Sequence, residues 1–169
     1  MLKGAVSIVL SEELEALKMK IITQHLEAGQ KASGRTAASL RVETTESEGT
    51  LYGRSPFGTL ETGRKAGKVP YGFRSIILKW MSDKGIEAKP IPYKTNREHK
   101  YTPQERGNLS LAYLIARKIK KEGTRLYRKG GRTDIYSNVI PEATARIRER
   151  ITELVKVDID NIKLNNVDV

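Results

Sequence analysis

Between Arg64 and Arg132 the chain holds 19 basic and 5 acidic residues, whereas the rest of its 169 residues hold 12 basic and 15 acidic. This segregation constrains the fold more than any single motif. An ionised side chain is costly to bury unless it is paired. The central stretch has too few acids to pair internally, so most of its cations must lie on a surface. The whole chain carries +11, concentrated in a basic centre set within a mildly acidic remainder. Such asymmetry suggests a basic surface facing a polyanion or an acidic partner. Solvated helix faces and a flexible basic loop would give the same composition.

Several function classes fall away early. The chain has no cysteine, which excludes disulfides, thiolate zinc sites, iron–sulfur clusters and a cysteine nucleophile. Aromatic residues are 6%, which disfavours a protein that stacks single-stranded bases on rings. No stretch approaches the roughly 18 apolar residues of a membrane span. The N-terminus, Met1-Leu2-Lys3 followed by Gly4 to Leu10, has the outline of a signal peptide, but its apolar part is short and runs straight into Ser11, Glu12 and Glu13, so none is expected.

Periodicity and turn chemistry predict an α+β fold. Ser11 reads as a helix N-cap, with Glu12 and Glu13 in the first turn. Leu14, Leu17, Ile21 and His25 follow at helical spacing, and Gly29 ends the segment. Residues 39–46 alternate, with Leu40, Val42 and Thr44 on one side; a turn at Ser47-Glu48-Gly49 and a return strand over 50–54 complete a hairpin. Residues 56–70, rich in glycine and proline, read as a loop or a short strand. Phe73, Ile76, Ile77 and Trp80 predict a helix over 71–84, closed by Gly85. Residues 86–100 are aperiodic. Thr102-Pro103-Gln104-Glu105 has the capping-box pattern of a helix that Gly123 ends, with Leu111, Leu114, Ile115 and Ile119 on its apolar face. Residues 124–138 turn at Gly130-Gly131 as either a hairpin or an extended arm. Pro141 opens a last helix, and a strand competes with its continuation over 155–159. The expectation is a single α+β domain over 1–169. It has a small antiparallel sheet packed by three to four helices, with basic loops projecting near 63–70, 86–101 and 124–137.

Catalytic constellations are absent from the sequence. His25 falls on an apolar helix face, where a core histidine is the ordinary outcome, and His99 in a polar loop. Glu87, Ala88 and Lys89, with Asp83, faintly resemble a nuclease carboxylate–lysine cluster, but they flank a helix end and a proline instead of lying on strands. Asp158 and Asp160 could hold a hard cation, although a solvated edge accounts for them more simply. No cofactor is implied. Arg125, Arg128, Lys129 and Arg132 cluster around the diglycine, and Arg64, Lys65 and Lys68 form a second basic group. These seven are the expected subunit-interface or polyanion contacts, suited to phosphates or to paired carboxylates.

The order of motifs carries a resemblance. An N-terminal helix precedes Ala32-Ser33-Gly34-Arg35-Thr36-Ala37-Ala38-Ser39-Leu40 and a hairpin; Phe57-Gly58-Thr59-Leu60-Glu61-Thr62-Gly63-Arg64 follows, then a late helix with Pro141 near its start. This resembles the tail-completion, or head–tail joining, proteins of tailed bacteriophages. The stretch from Leu111 to Ser137 is similar to a version found in phages of gut Bacteroidetes. Gly34 and Arg35 match the turn before the hairpin, and Glu61 and Gly63 the Glu-x-Gly element. Thr36 stands where that family usually has leucine, and the 86–100 loop is an addition.

The resemblance implies a non-enzymatic virion protein, assembled in the host cytoplasm. It would form a six- or twelve-fold homo-oligomeric ring in the phage neck, between portal or connector and tail, with DNA passing through the lumen and no membrane contact. The alternative reading of the basic centre is a nucleic-acid-binding protein or nuclease accessory.

Overall fold

A computed structural model describes residues 2–95 and 97–165. The fold is α+β: helices dominate, and two short strands form an antiparallel sheet. The described chain divides into two compact units. A frame unit comprises Met1–Gln30, Arg35–Glu61 and Thr133–Val169, and an inserted unit comprises Lys31–Gly34 and Thr62–Arg132. The charge follows this division. The insert has 20 basic and 5 acidic residues, net +15, and the frame has 11 and 15, net −4.

In the frame, helix α1 spans Leu2–Glu27 and helix α7 spans Val139–Asn165. The two run antiparallel, since Lys20 meets Glu142 while Glu13 meets Arg146 and Arg150. Leu10, Leu14, Leu17 and Ile21, at steps of four, three and four, form one buried stripe on α1. That stripe explains why the expected N-cap at Ser11 is wrong. The helix already runs from Leu2, Val9 and Leu10 are buried, and Ser11 is a mid-helix residue. Burial of the stripe outweighs the local capping preference. Glu12 and Glu13 lie far from the helix end and instead take arginine partners on α7. Gly29 ends the segment with φ +66°, a left-handed conformation that glycine adopts without steric cost.

The hairpin forms as its alternation predicts. Strand β1 (Arg41–Thr44) pairs with β2 (Gly49–Tyr52), with Val42 opposite Leu51. Leu40 is buried and Val42 and Leu51 pack against the same core. Gly49 is pressed against α1, where an added Cβ would lie 2.5 Å from Leu14 Cδ1. A short helix α2 (Arg35–Ala38) precedes the hairpin. The stretch read as a loop or strand over 56–70 begins instead with a 3₁₀ turn at Ser55–Gly58 and a helical turn α3 at Thr59–Thr62. Pro56 fits the first turn of a helix, where no backbone N–H is needed. Ile135, Val139 and Ala143 close the frame core. Helix α7 continues through 155–159, so no strand forms there; Leu154 and Val155 stay half-buried.

In the insert, helix α4 (Phe73–Asp83) packs on helix α5 (Pro103–Glu122) through Ile77, Met81 and Ala112. Most of each expected apolar face is packed, Phe73 and Ile77 on α4 and Leu111, Ile115 and Ile119 on α5, but one edge of each turns to solvent. Ile76 and Leu114 are about half exposed and Trp80 is 38% exposed, while Met81 and Ala112 take the buried places. Small Ala112 lets α4 approach closely, a packing choice that hydrophobicity counts do not reveal. The capping box is complete: Thr102 Oγ1 accepts from the Glu105 N–H, and the Glu105 carboxylate accepts from the Thr102 N–H at 2.7 Å. Gly107 lets the 86–101 segment cross α5, because a Cβ there would strike the Lys89 carbonyl oxygen. The segment expected as a hairpin or arm over 124–138 is neither. It opens with a helical turn α6 at Arg125–Arg128, capped by the Thr124 side chain, and continues in turns.

Candidate functional site

The two basic groups singled out in the sequence lie about 60 residues apart, and backbone hydrogen bonds fasten their segments together within the insert. The Thr124 N–H donates to the Arg64 carbonyl at 2.8 Å, and the Arg64 N–H donates to Thr124 Oγ1 at 2.9 Å. The Gly67 N–H donates to the Lys120 carbonyl at 2.9 Å. Residues 63–68 therefore cross the junction between the C-terminus of α5 and the start of α6. Glycine permits the crossing. Gly63 adopts φ +67°, and a Cβ on it would lie 2.5 Å from the Tyr127 nitrogen. A Cβ on Gly123 would lie 2.7 Å from the Arg64 oxygen.

The seven expected contacts divide by role. Arg64 is half-buried and belongs to the framework: its guanidinium donates to the Lys68 carbonyl at 2.8 Å and lies over the Phe73 ring at 5.5 Å. Arg128 pairs with Glu122 at 3.2 Å. Arg132 is half-buried. Lys65, Lys68, Arg125 and Lys129 are exposed, and among the described residues none has a carboxylate within ion-pair distance. Lys120 and Lys121, which sequence reasoning passed over, join them in the last turn of α5. Basic residues there oppose the negative end of the helix dipole, a gain of about 0.3–1 kcal/mol each. The signals that could have found this arrangement were Gly123-Thr124, a helix stop followed by a new cap, and the zero acidic residues between Arg106 and Lys121.

Of the motif residues, Glu61 has the most specific surroundings. It is 2% exposed, and its Oε1 accepts the N–H groups of Ile135, Tyr136 and Ser137 at 2.8, 2.7 and 3.0 Å. Its Oε2 accepts the Ser137 hydroxyl. Burial pushes the Glu61 carboxyl up, but the Ser137 hydroxyl and the three N–H donors outweigh it and hold the group below its ordinary 4.5. This cage of neutral donors holds a buried charged group and anchors the chain ahead of α7. Tyr136 adds a hydrogen bond to the Gly58 carbonyl at 3.0 Å. Gly34 takes φ +79° and Arg35 starts α2. Pro141 lies in the first turn of α7.

A second polar system joins α1 to α7. Glu13 accepts from Arg146 Nε and from an Arg150 guanidinium nitrogen, each at 3.0 Å, and these hydrogen bonds hold its carboxyl below the usual value. Arg150 also reaches Glu12 at 2.7 Å, and Glu142 bridges Arg146 and Lys20.

The remaining candidates do not assemble into chemistry. Asp83 lies 4.0 Å from Lys79, and Glu87 sits after the end of α4, away from any strand. Asp158 and Asp160, two residues apart on a helix, point to different sides. No group of three or more metal-ligating side chains occurs among the described residues. His25 is buried on α1, and His99 stacks on Tyr93 at 3.5 Å, with Arg106 4.6 Å from the same ring. A cleft of about 560 Å³ between α4 and α5 is lined by Leu78, Met81, Ile86 and Leu109. Two of its polar members serve the framework: Glu105 caps α5, and Asn108 accepts the Ala88 N–H at 2.8 Å. No helix among the described residues is long and apolar enough to cross a membrane. No family model, curated protein or solved structure matches the chain.

Proposed function

We propose that this chain is a structural ring subunit in the neck of a tailed bacteriophage, joining the portal or connector to the tail. The observation that carries the proposal is that the two units differ in surface chemistry. The frame exposes Ile8, Met19 and Leu26 on α1, and Ile140, Val157 and Ile159 on α7. Exposed apolar residues on both long helices suit contact with further copies. The insert carries +15 and the fastened basic cluster. The order of Gly34, Glu61, Gly63 and Pro141 supports the same reading by resemblance. Such a protein works by binding: it seats against portal, connector or tail proteins and transforms no substrate.

The test is to locate the chain in purified particles. Density for it at the portal–tail junction, repeated six- or twelve-fold in a symmetry-resolved map, is the expected result. The isolated chain should sediment as a monomer or weak oligomer. Particles whose neck contains no density for this chain would overturn the proposal.

A further inference from the structure

We infer that the basic cluster of the insert is a contact for the phosphate backbone of duplex DNA, made by Lys65, Lys68, Lys121, Arg125 and Lys129. The first ground is geometry. Like charges repel, yet the fold draws residues 63–68 onto the α5–α6 junction and fixes them with two backbone–backbone hydrogen bonds and one from the Arg64 N–H to the Thr124 hydroxyl. Helix-dipole compensation accounts for Lys120 and Lys121, but not for the cations added by the crossing segment and by α6. An external polyanion offsets that repulsion.

The second ground is the shortage of matching acids in the chain itself. A neighbouring copy would offer a frame of net −4 against +15. Much of that frame's acidity is already engaged. Glu12, Glu13 and Glu142 are bonded across α1 and α7, Glu15, Glu43 and Glu46 have basic partners, and Glu61 is buried. A duplex backbone, with one charge per roughly 1.7 Å of helix axis, supplies the density that the frame lacks.

The third ground concerns the kind of nucleic acid. The exposed aromatics nearest in sequence to the cluster, Tyr71 and Tyr127, are separated by 56 positions and share no ring contact among the described residues. Gly123 lies directly against the Tyr127 ring, where an added Cβ would stand 2.9 Å from Cδ1. Contacts to phosphates therefore dominate, and recognition is blind to sequence. This inference goes beyond the ring proposal and does not need it.

The experiment is a fluorescence anisotropy titration of the full chain against a mixed-sequence DNA duplex over a salt series. Five phosphate contacts give a slope of log affinity against log salt of about −4.5, or about a 500-fold loss between 50 and 200 mM. The double variant Lys121→Gln with Arg125→Gln should lower the slope by about two. Lys121→Arg with Arg125→Lys should keep it, which separates charge from folding. Lys156→Gln, on α7, should leave binding unchanged. An unaltered slope in the glutamine variant would overturn the inference. So would equally tight binding of poly-L-glutamate, which would make an acidic protein the partner. A chain that binds duplex but is absent from phage necks keeps this inference and defeats the ring; a chain found in necks without duplex affinity does the reverse.

Discussion

Thr124 and Arg64 hold each other by both of their backbone-side partners: the Thr124 N–H reaches the Arg64 carbonyl at 2.8 Å, and the Arg64 N–H reaches the Thr124 hydroxyl at 2.9 Å. The same hydroxyl caps α6 by accepting the Tyr127 N–H at 3.4 Å. One threonine thus starts a helical turn and binds a distant strand of chain to it.

Replacing Thr124 with valine keeps the shape and removes the oxygen. It should cost about 1–2 kcal/mol, the usual range for a lost cap with a stranded donor. Thr124→Ser should restore most of it. Urea unfolding gives the stability, and hydrogen exchange should speed at the Arg64 and Tyr127 amides specifically. Unchanged exchange at Arg64 would contradict the arrangement.

Gly63→Ala should be worse than the loss of the cap. The substitution places a Cβ against the Tyr127 backbone nitrogen and imposes a side chain on φ +67°. A loss of about 2–4 kcal/mol is expected from strain plus overlap. Gly58→Ala, with open space around its Cβ, should change the unfolding midpoint little.

Glu61 should make the protein acid-sensitive. Its carboxyl is depressed below 4.5 in the folded state, so its stabilisation is full above that pH and is lost as pH falls through the folded value. Glu13 and Glu142 are shifted in the same direction and add to the effect. Glu61→Gln should cost about 2–3 kcal/mol at neutral pH, because an amide cannot accept the four donors that the carboxylate accepts. It should also flatten the stability profile below pH 4.5. A profile as steep as that of the unmodified chain would remove Glu61 from this account.

Glu13→Gln should loosen the pairing of α1 with α7. One neutral side chain then faces two guanidinium groups, and a loss of about 2 kcal/mol is expected. Glu15→Gln, whose partner Lys18 lies on the same helix, should stay within about 0.5 kcal/mol. Denaturant midpoints of the two variants provide the comparison.

Which of these features could be read from sequence depends on how local their causes are. The hairpin was legible because Leu40, Val42 and Thr44 alternate beside a turn, and β1 and β2 form there. The start of α5 was legible because Thr102 and Glu105, three positions apart, cap each other. Ser11 misled because a tertiary stripe overrode a local preference. Helical turns α3 and α6, at four residues each, are too short for any period to register. The basic residues were identifiable as types, but their meeting was not: it depends on Gly63, Gly67 and Thr124, none of which is basic. The Glu13–Arg146 bond joins positions 133 residues apart, and no pattern in the chain announces it. Glu61 stood out by resemblance alone, and its cage emerged only in three dimensions.

The frame is discontinuous: residues 62–132 leave it after Glu61 and return at Thr133. Because the Glu61 carboxylate grips residues 135–137, the two cut points of that stretch are already neighbours within the frame. A splice of a few residues should therefore close the gap, and the charged module could be deleted, exchanged or grafted as a cassette while the two long helices and the hairpin keep their register.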